Sequence, residues 1–186
     1  MNFIEHINQQ ISLSQTASDD LTKCIRRKIY EKKELILPVE SLSKKIYFIE
    51  QGTARVFYAK KDKDVTLHFL QANGIGLPVD SIFYNQVCKF GIEALSKTTV
   101  VTIAYDKWET IANTDVVIQK FAQRLMIDYI KNATDRIYNL KFQTPKERYD
   151  TLLNEFPSIF LEASLGHIAS YLGITQETLS RLRARK

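Results

Sequence analysis

The chain has 186 residues, 45% of them hydrophobic and 25% charged, with a net charge of +5. This is the make-up of a globular protein whose core is large enough to need neither disulfide nor metal. An aromatic share of 11% excludes disorder, no apolar run approaches the ~18 residues of a membrane span, and MNFIEHINQQ lacks the features of a signal peptide, so a cytoplasmic location without membrane partners is expected.

Two short helical stretches are predicted first, at about 2–12 and 18–30. Short β-rich runs follow: ELILPV (34–39), KIYFIEQGTARVFYA (45–59), DVTLHFL (64–70), FGIEAL (90–95) and TTVVTIAY (98–105). Gly52, Gly74, Gly76, Gly91, Pro38 and Pro78 punctuate them, the pattern of a small barrel or roll. Ala54, Val56 and Tyr58 alternate only imperfectly with Arg55, Phe57 and Ala59, so cover on both faces of that strand is expected.

The character changes at about residue 112. From Val116 to Leu140, apolar residues including Ile118, Phe121, Leu125 and Tyr129 recur three and four apart without Gly or Pro, predicting one long helix. A second apolar set (Val117, Met126, Ile130) widens the stripe. Such a helix is either buried within its own domain or, the reading adopted, packs on the roll and on a twin from a second chain. Ile118, Phe121, Leu125 and Tyr129 are taken as the dimer face. After a candidate hinge at 141–143, Thr144 caps a helix with Pro145 first and Glu147 closing a capping box; Pro157 ends it.

The last 22 residues are the most informative. Ser164 caps a helix through Ile168, Ala169 and Leu172, Gly173 supplies a left-handed turn, and Thr175 caps another helix two residues on. With Ala169, Gly173 and Leu179 spaced as they are, this is a helix-turn-helix. Leu179 and Leu182 turn inward, leaving Gln176, Glu177, Ser180, Arg181, Arg183 and Arg185 outward with Lys186 beyond. Gln, Arg and Glu are side chains that read base edges, and Thr175 and Thr178 stand at a helix start suited to phosphate.

In this order of elements the whole chain resembles the cAMP receptor protein/FNR (Crp/Fnr) family of transcriptional regulators. FIEQGTARVFY (48–58) is similar to the family's strand-turn-strand with its key glycine, and TQETLSRLR (175–183) to its recognition helix, usually S-R-E-T-V-G-R. The resemblance implies an α+β protein: a cyclic-nucleotide-binding-like β-roll over 1–112, a dimerisation helix and hinge over 113–143, and a DNA-binding domain over 144–186. It implies double-stranded DNA and a second copy as partners, RNA polymerase too if the protein activates, and a small effector of unknown identity that reorients the DNA-binding domains. Glu177 and Arg181 match base-reading positions, Thr175 and Thr178 phosphate contacts; Gln176 replaces a common arginine and implies an altered site preference. The loosely matched effector pocket comprises Gly76, Leu77, Lys89, Phe90, Ala133 and Thr134. Leu77 stands where a ribose-binding Glu is expected and Lys89-Phe90 near the phosphate-binding Arg, so cAMP is not expected. The sequence stops where many relatives continue into a β-hairpin wing: either the wing is lacking, which would shift phosphate contacts onto Arg183, Arg185 and Lys186, or the sequence is cut short.

Two rivals stand beside this reading: a ligand-sensing or protein-interaction module without specific DNA binding, and a redox-responsive regulator using Cys24 or Cys88. No catalytic motif, no metal-ligand spacing among His6, His68 and His167, and no cysteine cluster for iron–sulfur ligation is present. Neither enzyme activity nor a cofactor is expected.

Overall fold

The computed structural model describes residues 2–61 and 63–184. Helices α1 (Phe3–Gln10) and α2 (Gln15–Cys24) lead into strand β1 (Ile25–Tyr30). Then come β2 (Leu35–Leu37), β3 (Lys45–Gln51), β4 (Ala54–Lys60), β5 (Lys63–Leu70) and β6 (Ile75–Gly76). Helix α3 (Val79–Phe83), strands β7 (Phe90–Ala94) and β8 (Thr98–Ala104) and helix α4 (Tyr105–Thr114) complete the N-terminal part. The long helix α5 (Val116–Phe142) leads to α6 (Pro145–Glu155), α7 (Ile159–Glu162), α8 (Leu165–Leu172) and α9 (Gln176–Ala184).

The strands form two four-stranded antiparallel sheets, ordered β1-β8-β3-β6 and β2-β7-β4-β5. Tyr47 and Ile49 of β3 point between them, against Val56, Ile92 and Val100, while Phe48 points the other way into a cluster with Ile7, Leu21, Trp108 and Phe121. The two-residue period of a strand thus feeds two cores at once. Strand β4 is covered on both sides, as its imperfect alternation implied: Ala54 and Val56 join the inter-sheet core, and Arg55 and Phe57 are buried outside it. Arg55 Nε donates to Glu93 at 2.5 Å, and its two terminal nitrogens donate to Asp64 at 2.5 and 2.6 Å.

Gly52 makes the turn from one sheet to the other at φ +90, a conformation that glycine alone adopts without strain. A Cβ there would lie 2.5 Å from the Lys97 carbonyl oxygen. Gly52→Ala is therefore expected to lower the unfolding free energy by about 2 kcal/mol, measured by urea denaturation; an unchanged midpoint would contradict the tight turn.

Three sequence expectations are corrected. The helix predicted over 18–30 ends at Cys24, and Ile25–Tyr30 pairs with β8 over six residues. Helix α4, unanticipated, follows β8 directly; its N-cap Ala104 offers no side-chain bond to mark the start. The hinge expected at 141–143 shrinks, because α5 continues through Phe142 and only Gln143 turns to extended backbone. The capping box of Thr144 and Glu147 is present as read.

Candidate DNA-reading face and effector cavity

The helix-turn-helix is built from local signals in its own residues. Ser164 Oγ accepts from the His167 N–H at 3.2 Å, starting α8. Gly173 ends it in the left-handed region at φ 65, as the turn requires. Thr175 Oγ1 then accepts from the Thr178 N–H at 3.2 Å, starting α9. Ile168, Ala169, Leu172 and Leu179 are fully buried between the helices, with Ile174 and Leu182 at the margin.

That core fixes which side of α9 is open. Gln176, Glu177, Ser180, Arg181 and Arg183 are exposed and Thr178 is half-buried. The Thr175 hydroxyl, aided by the helix's own N–H, holds the Glu177 carboxyl below the usual carboxylate range. Arg181 makes only a long 3.4 Å bond to the Glu177 carbonyl oxygen, so its guanidinium is largely uncommitted. Arg183 rests 5.0 Å from the Phe160 ring. Arg185 and Lys186 lie outside the described residues.

Contacts unforeseen in the sequence fasten this unit to the rest. Phe69 of β5 packs at a tilt against Tyr171 of α8 and edge-on against Phe156, at 5.0 and 5.9 Å between centroids, and belongs to the same hydrophobic cluster as Leu152, Ile168 and Leu179. The Thr66 N–H donates to Ser170 Oγ at 3.1 Å. Arg148 Nε donates to the Leu172 carbonyl at 2.8 Å and its Nη1 to the Gln143 carbonyl at 2.6 Å, joining the end of α8 to the end of α5. Arg136 of α5 donates to the Tyr171 carbonyl and lies 4.0 Å over that ring. Arginines thus neutralise the carbonyl end of α8, where cations are favoured. One signal for Arg136 was legible: it stands on the apolar stripe, three residues after Ala133 and four before Leu140.

A cavity of about 930 Å³ lies between the roll, α5 and the C-terminal helices. Of the expected pocket residues, Gly76, Leu77 and Phe90 line it. Lys89, Ala133 and Thr134 do not. Thr134 is exposed on another face of α5, its hydroxyl bonded to the Ile130 carbonyl at 2.9 Å, and Lys89 is exposed. The α5 residues that reach the cavity include Tyr129, Asn132 and Arg136.

The proposed dimer face also needs correction. Ile118 and Phe121 are fully buried in their own chain's core and Leu125 lines the cavity, so this part of the stripe is turned inward; Tyr129 also lines the cavity but stays 43% exposed. The open stripe carries Ile127, Ile130 and Ile137, at 52%, 63% and 57% exposure, with Thr134 between. As for thiol chemistry, Cys88 is buried, and burial pushes its thiol up, away from the thiolate a redox sensor needs. Among the described residues no group of His, Cys, Asp and Glu could hold a metal ion, and no helix is long and apolar enough to cross a membrane.

No protein-family model matches the chain. In sequence it is 27% identical to the fumarate and nitrate reduction regulatory protein of Vibrio cholerae, covering 94% of this chain and 74% of that one. It is 24% identical to the anaerobic regulatory protein of Pasteurella multocida, over 94% and 68%. Among solved structures it superposes on FixK2 of Bradyrhizobium japonicum with a TM-score of 0.75 and 22% identity, over 87% of this chain and 83% of that one. A CooA variant of Carboxydothermus hydrogenoformans gives 0.72 and 19%, over 99% and 84%. A putative Crp/Fnr-family transcriptional regulator of Eubacterium rectale gives 0.71 and 17%, over 91% and 82%. The curated relatives are named as regulatory proteins, and in sequence and in the order of roll, long helix and helical C-terminal part the chain is similar to transcriptional regulators of the Crp/Fnr family.

Proposed function

We propose that this regulator is a homodimer that reads an inverted-repeat DNA operator with α9, the segments 1–112, 113–143 and 144–186 serving as sensor, dimerisation helix and DNA reader. The observation that carries the reading is the open polar face of α9 on a completed helix-turn-helix core. Gln176, Glu177 and Arg181 present amide, carboxylate and guanidinium groups that pair with base edges. Thr175, Thr178, Ser180 and Arg183 flank them for the phosphate backbone, with Arg185 and Lys186 beyond. The solvent-facing residues Ile127, Ile130, Thr134 and Ile137 follow the three-four spacing of a coiled-coil seam. A twin helix there would relate two recognition helices by a two-fold axis and set them on successive major grooves, about 34 Å apart.

The test is selection of binding sites from random duplex DNA by the purified protein at about 150 mM salt, where non-specific attraction is weakened. An inverted repeat with half-sites one helical turn apart is the expected product. Absence of any enriched sequence would favour an interaction module instead. On the selected operator, Arg181→Ala is expected to cost about 1–3 kcal/mol and to relax preference at one base pair per half-site. A gel-shift titration that finds parent affinity in this variant would remove Arg181 from the reading face.

A further inference from the structure

The cavity beside α5 is long and mostly apolar. Its walls run along the helix from Phe121 to Asn139, a rise of about 27 Å at 1.5 Å per residue. Phe48, Leu67, Phe90, Leu125 and Met126 supply aliphatic and aromatic surface, and Trp108, the single tryptophan of the chain, lines it as well. A long, largely apolar cleft suits an extended hydrocarbon better than a compact polar ring.

Into the same cavity projects one charge that no carboxylate of the described residues bonds directly. The Arg136 guanidinium is largely buried, and its Nε is buried with no hydrogen-bond partner. Its remaining bonds go to the Tyr171 carbonyl and ring, not to a carboxylate, and among the described residues it forms no ion pair. An arginine stays protonated, so burial leaves a fixed positive charge whose cost an anion would offset more fully than a carbonyl and a ring do. The acids along the wall are not free to serve. Asp128 is bonded to Arg124 at 3.1 Å and Asp135 to Lys131. Glu155 also lines the cavity; burial raises its carboxyl above the usual range, and the charge of Arg136 offsets this only in part. His68 opposite is pushed towards the neutral form, by burial and then by the charge of Arg136.

We infer that the cavity binds an amphipathic monoanion, a straight hydrocarbon chain with a carboxylate head, the head taken by the Arg136 guanidinium and the chain lying along α5. Because Arg136 also holds Tyr171 of α8, occupying its free nitrogen acts on the contact that seats the DNA-reading unit. The inference extends the regulator reading by naming the effector's chemistry, but its binding test needs no DNA, so its failure leaves the operator experiment standing.

The probes are straight-chain carboxylates of eight to fourteen carbons and the alcohols of equal length, kept below micelle-forming concentrations and titrated against the fluorescence of Trp108. At least one carboxylate is expected to saturate the signal and to bind ten-fold or more tightly than its alcohol. Arg136→Gln is expected to abolish that preference. The inference is overturned by absence of saturation across the series, by equal affinity for acid and alcohol, or by an Arg136→Gln protein that keeps the preference. Should Arg136→Gln fail to fold by circular dichroism, Arg136→Lys, which keeps a cation at the site, decides: equal affinity for acid and alcohol in that protein overturns it.

Discussion

Replacing Ile127 and Ile130 together by aspartate is expected to give a folded monomer that binds the operator at least a hundredfold more weakly than the parent. Both side chains are more than half exposed, so neither supports the core, and the change spares Ile118 and Phe121, which do. Carboxylates facing one another across a helical seam repel, and the apolar surface that would be buried against the twin disappears. The loss on DNA is larger than any single contact provides, because a dimer places its second reader at an effective concentration that multiplies affinity by about 10²–10⁴. Light scattering after size exclusion reads the mass, and a gel-shift titration reads the affinity. A variant that still elutes as a dimer would show that the twin, if present, packs elsewhere.

Arg55→Met is expected to destabilise the fold by about 3 kcal/mol. Arg55 is 3% exposed and sits between Asp64 and Glu93; methionine keeps the volume and leaves the carboxylates facing each other without their cation. A second change, Glu93→Gln, should recover part of the loss, which a double-mutant cycle in urea measures. The pH dependence has a definite sign. The Arg55 hydrogen bond holds the Asp64 carboxyl below its ordinary value of 3.8. The stability it lends is therefore whole at neutral pH and drains away only as the pH falls below that value. The gap between parent and Arg55→Met should accordingly narrow below about pH 4. A gap constant from pH 7 to pH 3 would show that the variant suffers from packing alone.

What was legible in the sequence was what short-range chemistry encodes. Ser164, Gly173 and Thr175 act within three or four residues of themselves, and each takes the role its type suggested. The same holds for Thr144, Pro145 and Glu147. What failed depended on partners far along the chain. Arg-Arg-Lys at 26–28 looks like a solvated helix and becomes a strand only because β8 offers six residues of pairing. The two apolar stripes of α5 are equivalent by periodicity; the roll, not the spacing, claims Ile118 and Phe121 and leaves Ile127 and Ile130 outside. Of the pocket residues placed by analogy, Gly76, Leu77 and Phe90 line the cavity, whereas α5 turns Tyr129, Asn132 and Arg136 to it rather than Ala133 and Thr134. No local pattern reveals that rotation, although a charged residue on an apolar stripe was a hint.

Phe69 has a bearing on modularity. It is a residue of the roll, yet it completes the packing of Ile168, Leu172 and Leu179 in the C-terminal unit, and the Thr66 amide beside it is tied to Ser170. Segments 144–186 are therefore not a transplantable cassette. A chimera that carried them onto another roll would inherit the caps and the recognition face but lose the aromatic keystone under Tyr171. The exchangeable piece includes the β5 edge with the helices it supports, so the roll and the C-terminal unit are constrained to diverge together.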